Sequence, residues 1–145
     1  MHTVKRSVLV PYSCSQMFEL VADVEKYPEF MPWCGGSAVH RRDEQGMDAS
    51  VTIAFAGIRQ TFTTRNTHDY PRSIRVELLD GPFSALSGLW EFHELAPDAC
   101  KVEYTMQYAF SRRALEAVVG PVFNRIASSF IDSFTQRAQV AYANA

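Results

Sequence analysis

At 145 residues, 47% apolar and 12% aromatic, the chain has the size and composition of one domain with a core that needs no metal or disulfide. A net charge of −2 and an isoelectric point near 6.1 lack the basic footprint of a general nucleic-acid binder, so DNA is not an expected partner. No apolar run approaches the ~20 residues of a bilayer-spanning helix, and the N-terminal MHTVKRSVLVPYS is too poor in apolar residues for a secretion signal. Cytoplasm is the expected compartment.

Residues 3–10 read as a β-branched first strand, ended by Pro11. Ser13 and Gln16 then fit a capping box, and Tyr12 and Met17 sit where a hydrophobic staple fixes the angle of the incoming chain. Met17, Phe18, Leu20, Val21 and Val24 form one apolar stripe. Pro28 and Pro32 stop the helical run and hold Tyr27, Phe30, Met31 and Trp33 in a compact bend.

Six more strands follow at roughly ten-residue spacing. They span residues 35–42, 47–56, 59–67, 74–79, 89–95 and 101–110. Turns at 43–46, Gly57, Tyr70-Pro71 and Pro97-Asp98 separate them, with a loop over 81–88. In the third strand Val51, Ile53 and Phe55 share a face. In the last, Val102, Tyr104, Met106, Tyr108 and Phe110 oppose Glu103, Thr105 and Gln107, a sheet covered on one side and wet on the other. The cover is a helix in which Leu115, Val119, Val122, Phe123, Ile126, Phe130 and Phe134 recur at three- and four-residue steps. Gly120-Pro121 either kinks that helix or begins its main part.

The stretch YSCSQMFELVADVEKYPEFMPWC (12–34), together with GPFSALSGLWEF (81–92) and the run 108–138, closely resembles the coenzyme Q-binding and ribosome-association-toxin family. That family lies within the START-like (polyketide cyclase/lipid transport) superfamily. Met31 stands where the family more often has Leu, a volume-conserving difference. The resemblance covers nearly the whole chain, 1–145, as one START-like domain. It implies an α+β helix-grip fold: a curved antiparallel sheet of six to seven strands wrapped around a long C-terminal helix, with two short helices after the first strand.

No catalytic constellation is legible. His2, His40, His68 and His93 show no metal-ligand spacing, and there is no nucleophile elbow, P-loop or dinucleotide fingerprint. Asp23 and Glu25 read as a solvated face, and His93 as water-facing. Cys14, Cys34 and Cys100, odd in number and without C-x-x-C spacing, read as packing residues. No catalytic residue, metal ligand or required cofactor is assigned, and an enzyme is not expected.

The chain does carry an aromatic face. Phe55, Trp90, Phe92, Tyr104, Met106 and Tyr108 can meet Val119, Val122, Phe123 and Ile126 across the sheet–helix space. Their ordinary reading is a filled core. The resemblance implies instead a cavity between sheet and long helix, with Phe30, Trp33 and Phe83 flanking its mouth and touching a membrane surface during loading. Tyr104 and Tyr108 are the candidate polar contacts, because a buried phenol wants a partner.

The function implied first is non-catalytic binding of a hydrophobic ligand, a polyprenyl quinone such as ubiquinone, in support of respiration. At about 0.8 kcal/mol per buried CH₂, two isoprene units contribute several kcal/mol without a charged anchor. The ligand's source places the protein at the inner face of the membrane. The alternative is a toxin that binds the large ribosomal subunit and blocks subunit joining. Arg41, Arg42, Arg59, Arg65, Arg72 and Arg75 are its candidate contacts, a local excess of two over Asp43, Glu44, Asp48 and Asp69. A polyketide cyclase or aromatase is the third reading, and it needs an acid and a base that only Tyr104 and Tyr108 could supply.

Overall fold

Strand β1 (His2–Val10) leads into α1 (Cys14–Ala22), and the local chemistry of that joint is as the sequence dictates. The Gln16 amide donates to Ser13 Oγ over 3.1 Å, while the Ser13 amide donates to Gln16 Oε1 over 2.9 Å. Two otherwise orphaned donors at the helix start are thereby satisfied. Cys14, Met17, Phe18 and Val21 form the buried stripe of α1. A single 3₁₀ turn (Val24–Lys26) and the four-residue α2 (Tyr27–Phe30) follow. The Tyr27 hydroxyl reaches back to the Val21 carbonyl and ties this bend to α1.

The meander comprises β2 (Cys34–Asp43), β3 (Gly46–Phe55), β4 (Ile58–Asp69), β5 (Ser73–Asp80), β6 (Phe83–Ala96) and β7 (Ala99–Phe110), and α3 (Arg113–Ala141) closes the chain. The computed structural model describes residues 1–143. All strands join one antiparallel sheet in the order β1-β7-β6-β5-β4-β3-β2, so β1 returns to pair with the last strand. This is the helix-grip architecture expected.

Of the segment 81–88, expected as a loop, residues 83–88 instead begin the fourteen-residue strand β6. Phe83 and Leu86 have opposite parity, which hides the alternation. A bulge between Phe83 and Ala85 shifts the register, so Phe83 pairs with Phe110 and Leu86 with Tyr108 on one face. That extra residue restores both side chains to the interior. Gly88 lies mid-strand, where a Cβ would stand 3.5 Å from the Thr105 carbonyl and 3.6 Å from Val76 Cβ, so the glycine packs and does not end the strand.

The β3–β4 hairpin turns through Ala56 (φ 53°) and Gly57 (φ 80°). Two consecutive positive φ angles are what a two-residue type I′ turn requires, and Ala56 adopts one without glycine's freedom. Helix α3 runs unbroken through Pro121. Its Val119, Phe123, Ile126, Ile131 and Phe134 are buried against Trp90, Phe92, Val102, Tyr104, Met106 and Tyr108 of the sheet. Each large side chain so buried is worth about 1.5–3 kcal/mol, which holds helix to sheet.

Candidate functional site

A cavity of about 70 Å³ remains between the sheet and the C-terminal half of α3. The bend walls one side with Val24, Tyr27, Met31 and Trp33. The sheet supplies Ala49 and Val51 from β3, Phe62, Thr64 and Asn66 from β4, Val76, Leu86, Trp90, Tyr104 and Met106. Phe130 and Phe134 descend from α3.

The polar groups of this lining are few and uncharged. Trp33 Nε1 is buried with no hydrogen-bond partner. The Thr64 hydroxyl donates to Asn66 Oδ1 over 2.9 Å, leaving the carboxamide N–H₂ as the donor end of Asn66. The Tyr104 hydroxyl, on a side chain 1% exposed, contacts only the Met106 thioether at 3.3 Å, a weak acceptor. Burial holds the Tyr104 pKa well above its ordinary value, and burial, then Asp23, does the same for Tyr27. Both phenols therefore stay neutral. The cavity offers an apolar space a few neutral hydrogen-bonding groups and no fixed charge.

Of the residues expected at the site, Trp33, Trp90, Tyr104 and Met106 line the cavity. Phe83, Tyr108 and Phe123 instead build an aromatic plug beside it with Phe62 and Phe110, with ring centroids 4.7 Å apart for Tyr108–Phe123 and 4.9 Å for Phe83–Phe123. The Tyr108 hydroxyl points away to Asn124 Oδ1 at 3.2 Å. Phe92 packs on Phe18, and Val119, Val122 and Ile126 join the core along α3. Phe30 lies outside, between Tyr27, Phe134 and the Arg137 guanidinium, which stands 5.1 Å from its ring. Phe55 is a correction: it shares the inner face of β3 but falls past the edge of the core, 37% exposed, with Arg125 6.0 Å over its ring.

Sequence reasoning missed Thr64 and Asn66. Phe62, Thr64 and Asn66 alternate inward on β4, but two of the three are polar, so no hydrophobic alternation advertises the face. Tyr27 and Met31 were visible as bend residues without a destination.

The arginines expected as one cluster separate into two groups. Arg41 and Arg65 both grip Asp48, with nitrogen–oxygen distances of 3.2 and 3.0 Å. The Arg65 and Arg41 hydrogen bonds hold the Asp48 carboxyl far below the usual carboxylate range. Arg42 pairs with Glu25 at 2.9 Å. Among the described residues, Arg59, Arg72 and Arg75 have no such partner. Arg59 lies near the start of β4, and Arg72 in the turn beyond its far end, so the two stand far apart along the sheet.

Two other constellations lie outside the cavity. Glu91, His93 and Glu103 bring ligand-type atoms within 4.8 Å on the outer face of the sheet, but Lys101 already holds Glu103 at 3.0 Å. Cys14 and Cys100 touch in the core at 3.1 Å, and Cys34 is buried separately.

Comparison with known proteins agrees with this fold. The family model described as "Polyketide cyclase / dehydrase and lipid transport" matches residues 10–135. A Vibrio cholerae protein named Ribosome association toxin RatA is 46% identical over 142 residues, covering 98% of this chain and 99% of that one. A Drosophila melanogaster protein named Coenzyme Q-binding protein COQ10, mitochondrial, is 27% identical over 135 residues, covering 90% of this chain and 56% of its own length. The solution structure of an 18 kDa protein from Caulobacter crescentus superposes with a TM-score of 0.75 at 35% identity, covering 99% of both chains.

Proposed function

The chain belongs to the polyketide cyclase/dehydrase and lipid transport family, and from that premise we propose that it binds a neutral prenylated quinone non-catalytically. The observation that carries this reading is the uncharged lining, above all the buried, unpartnered indole N–H of Trp33, a residue of the cavity wall. An unpaired buried donor costs ~1–3 kcal/mol, which an acceptor oxygen of a ligand offsets. A quinone ring offers two carbonyl acceptors and no donor. A fatty acid or phospholipid head is a poor fit, because no cation lines the cavity to meet its charge. The distant relative named for coenzyme Q binding supports the same class.

The cavity of about 70 Å³ is smaller than the ~300–1,000 Å³ of sites for drug-sized ligands. Entry of the ring therefore requires Met31, Met106 and Phe130 to swing aside, and two of these are unbranched thioethers suited to repacking. The only titratable side chains in the lining are tyrosines, both held protonated. That gives no base for a cyclase step. No helix of the described chain is long and apolar enough to cross a membrane; a prenyl quinone resides in a bilayer, so the reading has the protein meet its ligand at a membrane surface. Organic extraction of the purified protein, followed by mass spectrometry, tests the reading. A stoichiometric prenyl quinone supports it; an empty extract with no uptake of added ubiquinone refutes it.

A second reading, association with the large ribosomal subunit, is favoured by the full-length 46% relative named for it. Here the unpaired Arg59, Arg72 and Arg75 are the candidate contacts, and salt-sensitive co-sedimentation with purified subunits is the test.

A further inference from the structure

We propose that the N-terminal half of α3 and the tip of the β3–β4 hairpin form a docking surface for an anionic lipid bilayer. The two elements flank an open groove of about 810 Å³ lined by residues 57–60 of the hairpin and by Arg112, Leu115 and Val118 among others at the start of α3. Apolar side chains there face water: Val118 is 64% exposed, and Phe55 at the hairpin tip 37%. Ile58 and Leu115 are half-buried beside them.

Around this apolar strip stand Arg59, Arg112, Arg113 and Arg125, all exposed. Among the described residues none has a carboxylate within 4.0 Å. The nearby acid, Glu116, contacts the His2 ring and is the one carboxylate of this helix start. In a chain of net charge −2, four guanidiniums beside the single carboxylate of Glu116 are a marked asymmetry.

Local helix physics sharpens the point. Arg112 occupies the N-cap of α3, makes no side-chain cap hydrogen bond, and is followed by Arg113 at the first helical position. The positive end of the helix dipole lies there, where Asp, Ser or Thr stabilise and cations do not. Glu116 in the first turn is the one carboxylate there to set against two adjacent arginines, so the helix start keeps an excess of positive charge that an anionic partner offsets. Phosphate groups do so.

Lipid phosphate and ribosomal RNA phosphate share that chemistry, and the apolar half decides between them. Val118, Phe55, Ile58 and Leu115 gain nothing against a phosphodiester surface. A bilayer takes such residues below its headgroups, while arginines reach up to the phosphates on their apolar stems. The surface also abuts the aromatic plug, since Phe110 lies 3.8 Å from where a Gly120 Cβ would be. Pro121 removes a backbone hydrogen bond from α3 at that level. The purpose of docking rests on the quinone reading above, but its test does not.

The test is flotation of the purified protein with phosphatidylcholine vesicles, with and without phosphatidylglycerol, at low and raised salt. The wild type should float only with the anionic vesicles and lose binding with salt. The R112E/R113E/R125E variant should lose partitioning on the order of a hundred-fold, from about five-fold per basic residue, and V118D should weaken it with the arginines intact. R75E, on the outer face of the sheet, should float like the wild type. Uptake of a short-chain quinone from detergent micelles, measured on the same variants, should stay unchanged, which separates failure of docking from failure of the cavity reading. Absence of wild-type binding to phosphatidylglycerol vesicles overturns the proposal. So does R75E losing as much as the triple variant. Loss of large-subunit binding by the triple variant, with no vesicle binding by the wild type, reassigns the face to RNA.

Discussion

The indole of Trp90 stacks on the phenol ring of Tyr104, with centroids 4.3 Å apart and planes 29° from parallel. The pair arises directly from register, because Trp90 and Tyr104 are cross-strand partners on the inner face of β6 and β7. It makes one rigid wall of the cavity and sets the Tyr104 hydroxyl beside a thioether, its weak partner.

Tyr104→Phe should accordingly leave thermal stability within about 1 kcal/mol of wild type, since the hydroxyl has little to lose. Quinone retention should nevertheless fall several-fold. Calorimetry and ligand uptake on one preparation measure both. A large loss of stability with unchanged uptake would assign Tyr104 to the core alone.

The Thr64–Asn66 pair should behave in the same sense. Replacing both with Val and Leu removes two buried polar groups that satisfy one another, and such exchanges are near neutral or stabilising for a fold. The melting temperature should hold or rise while ligand uptake disappears. A drop of several kcal/mol would make the pair structural.

Asp48 controls the pH dependence of the sheet's far edge. Its folded pKa is depressed by hydrogen bonds from Arg65 and then Arg41. Its contribution is therefore full above the unfolded value of about 3.9 and is lost as pH falls from there through the depressed folded value. Asp48→Asn should destabilise at neutral pH, and the gap to wild type should close in denaturation curves taken below about pH 4. A gap that stays constant into acid would contradict the ion-pair geometry.

Ala56 holds φ at 53° in the hairpin turn. Asn tolerates that conformation far better, and Asn-Gly is the preferred pair for a type I′ turn. Ala56→Asn should raise stability by about 0.5–1 kcal/mol, read as a shift in denaturation midpoint. An unchanged midpoint would mean that the turn relaxes without strain.

The sequence spoke most clearly where one physical rule acted alone. Ser13, Gln16 and the alternation from Val102 to Phe110 each state their structure locally, and those elements stand where expected, whereas Pro28, expected to stop the helical run, lies in the first turn of the short helix α2 after α1 has already ended at Ala22. The bulge at residues 83–85 was hidden because one extra residue inverts parity, which depends on pairing with Phe110 and not on the local pattern. The site was partly legible for a related reason. Trp33, Trp90, Tyr104 and Met106 belong to recognisable aromatic or apolar faces. Tyr108, Phe123 and Phe83 looked the same in sequence but close on each other as a plug. Which aromatic residues leave space is decided by three-dimensional packing, to which Phe130 on α3 and Asn66 on β4 contribute together.

The central claim can be read by an intrinsic probe, because both tryptophans of the chain, Trp33 and Trp90, line the cavity. Titration with a short-chain ubiquinone, following tryptophan fluorescence, is the most direct measurement. The account predicts saturable quenching with a stoichiometry of one quinone per chain, abolished in the Thr64→Val/Asn66→Leu variant. Quenching that rises linearly without saturation, and matches a free tryptophan derivative in the same buffer, would contradict it.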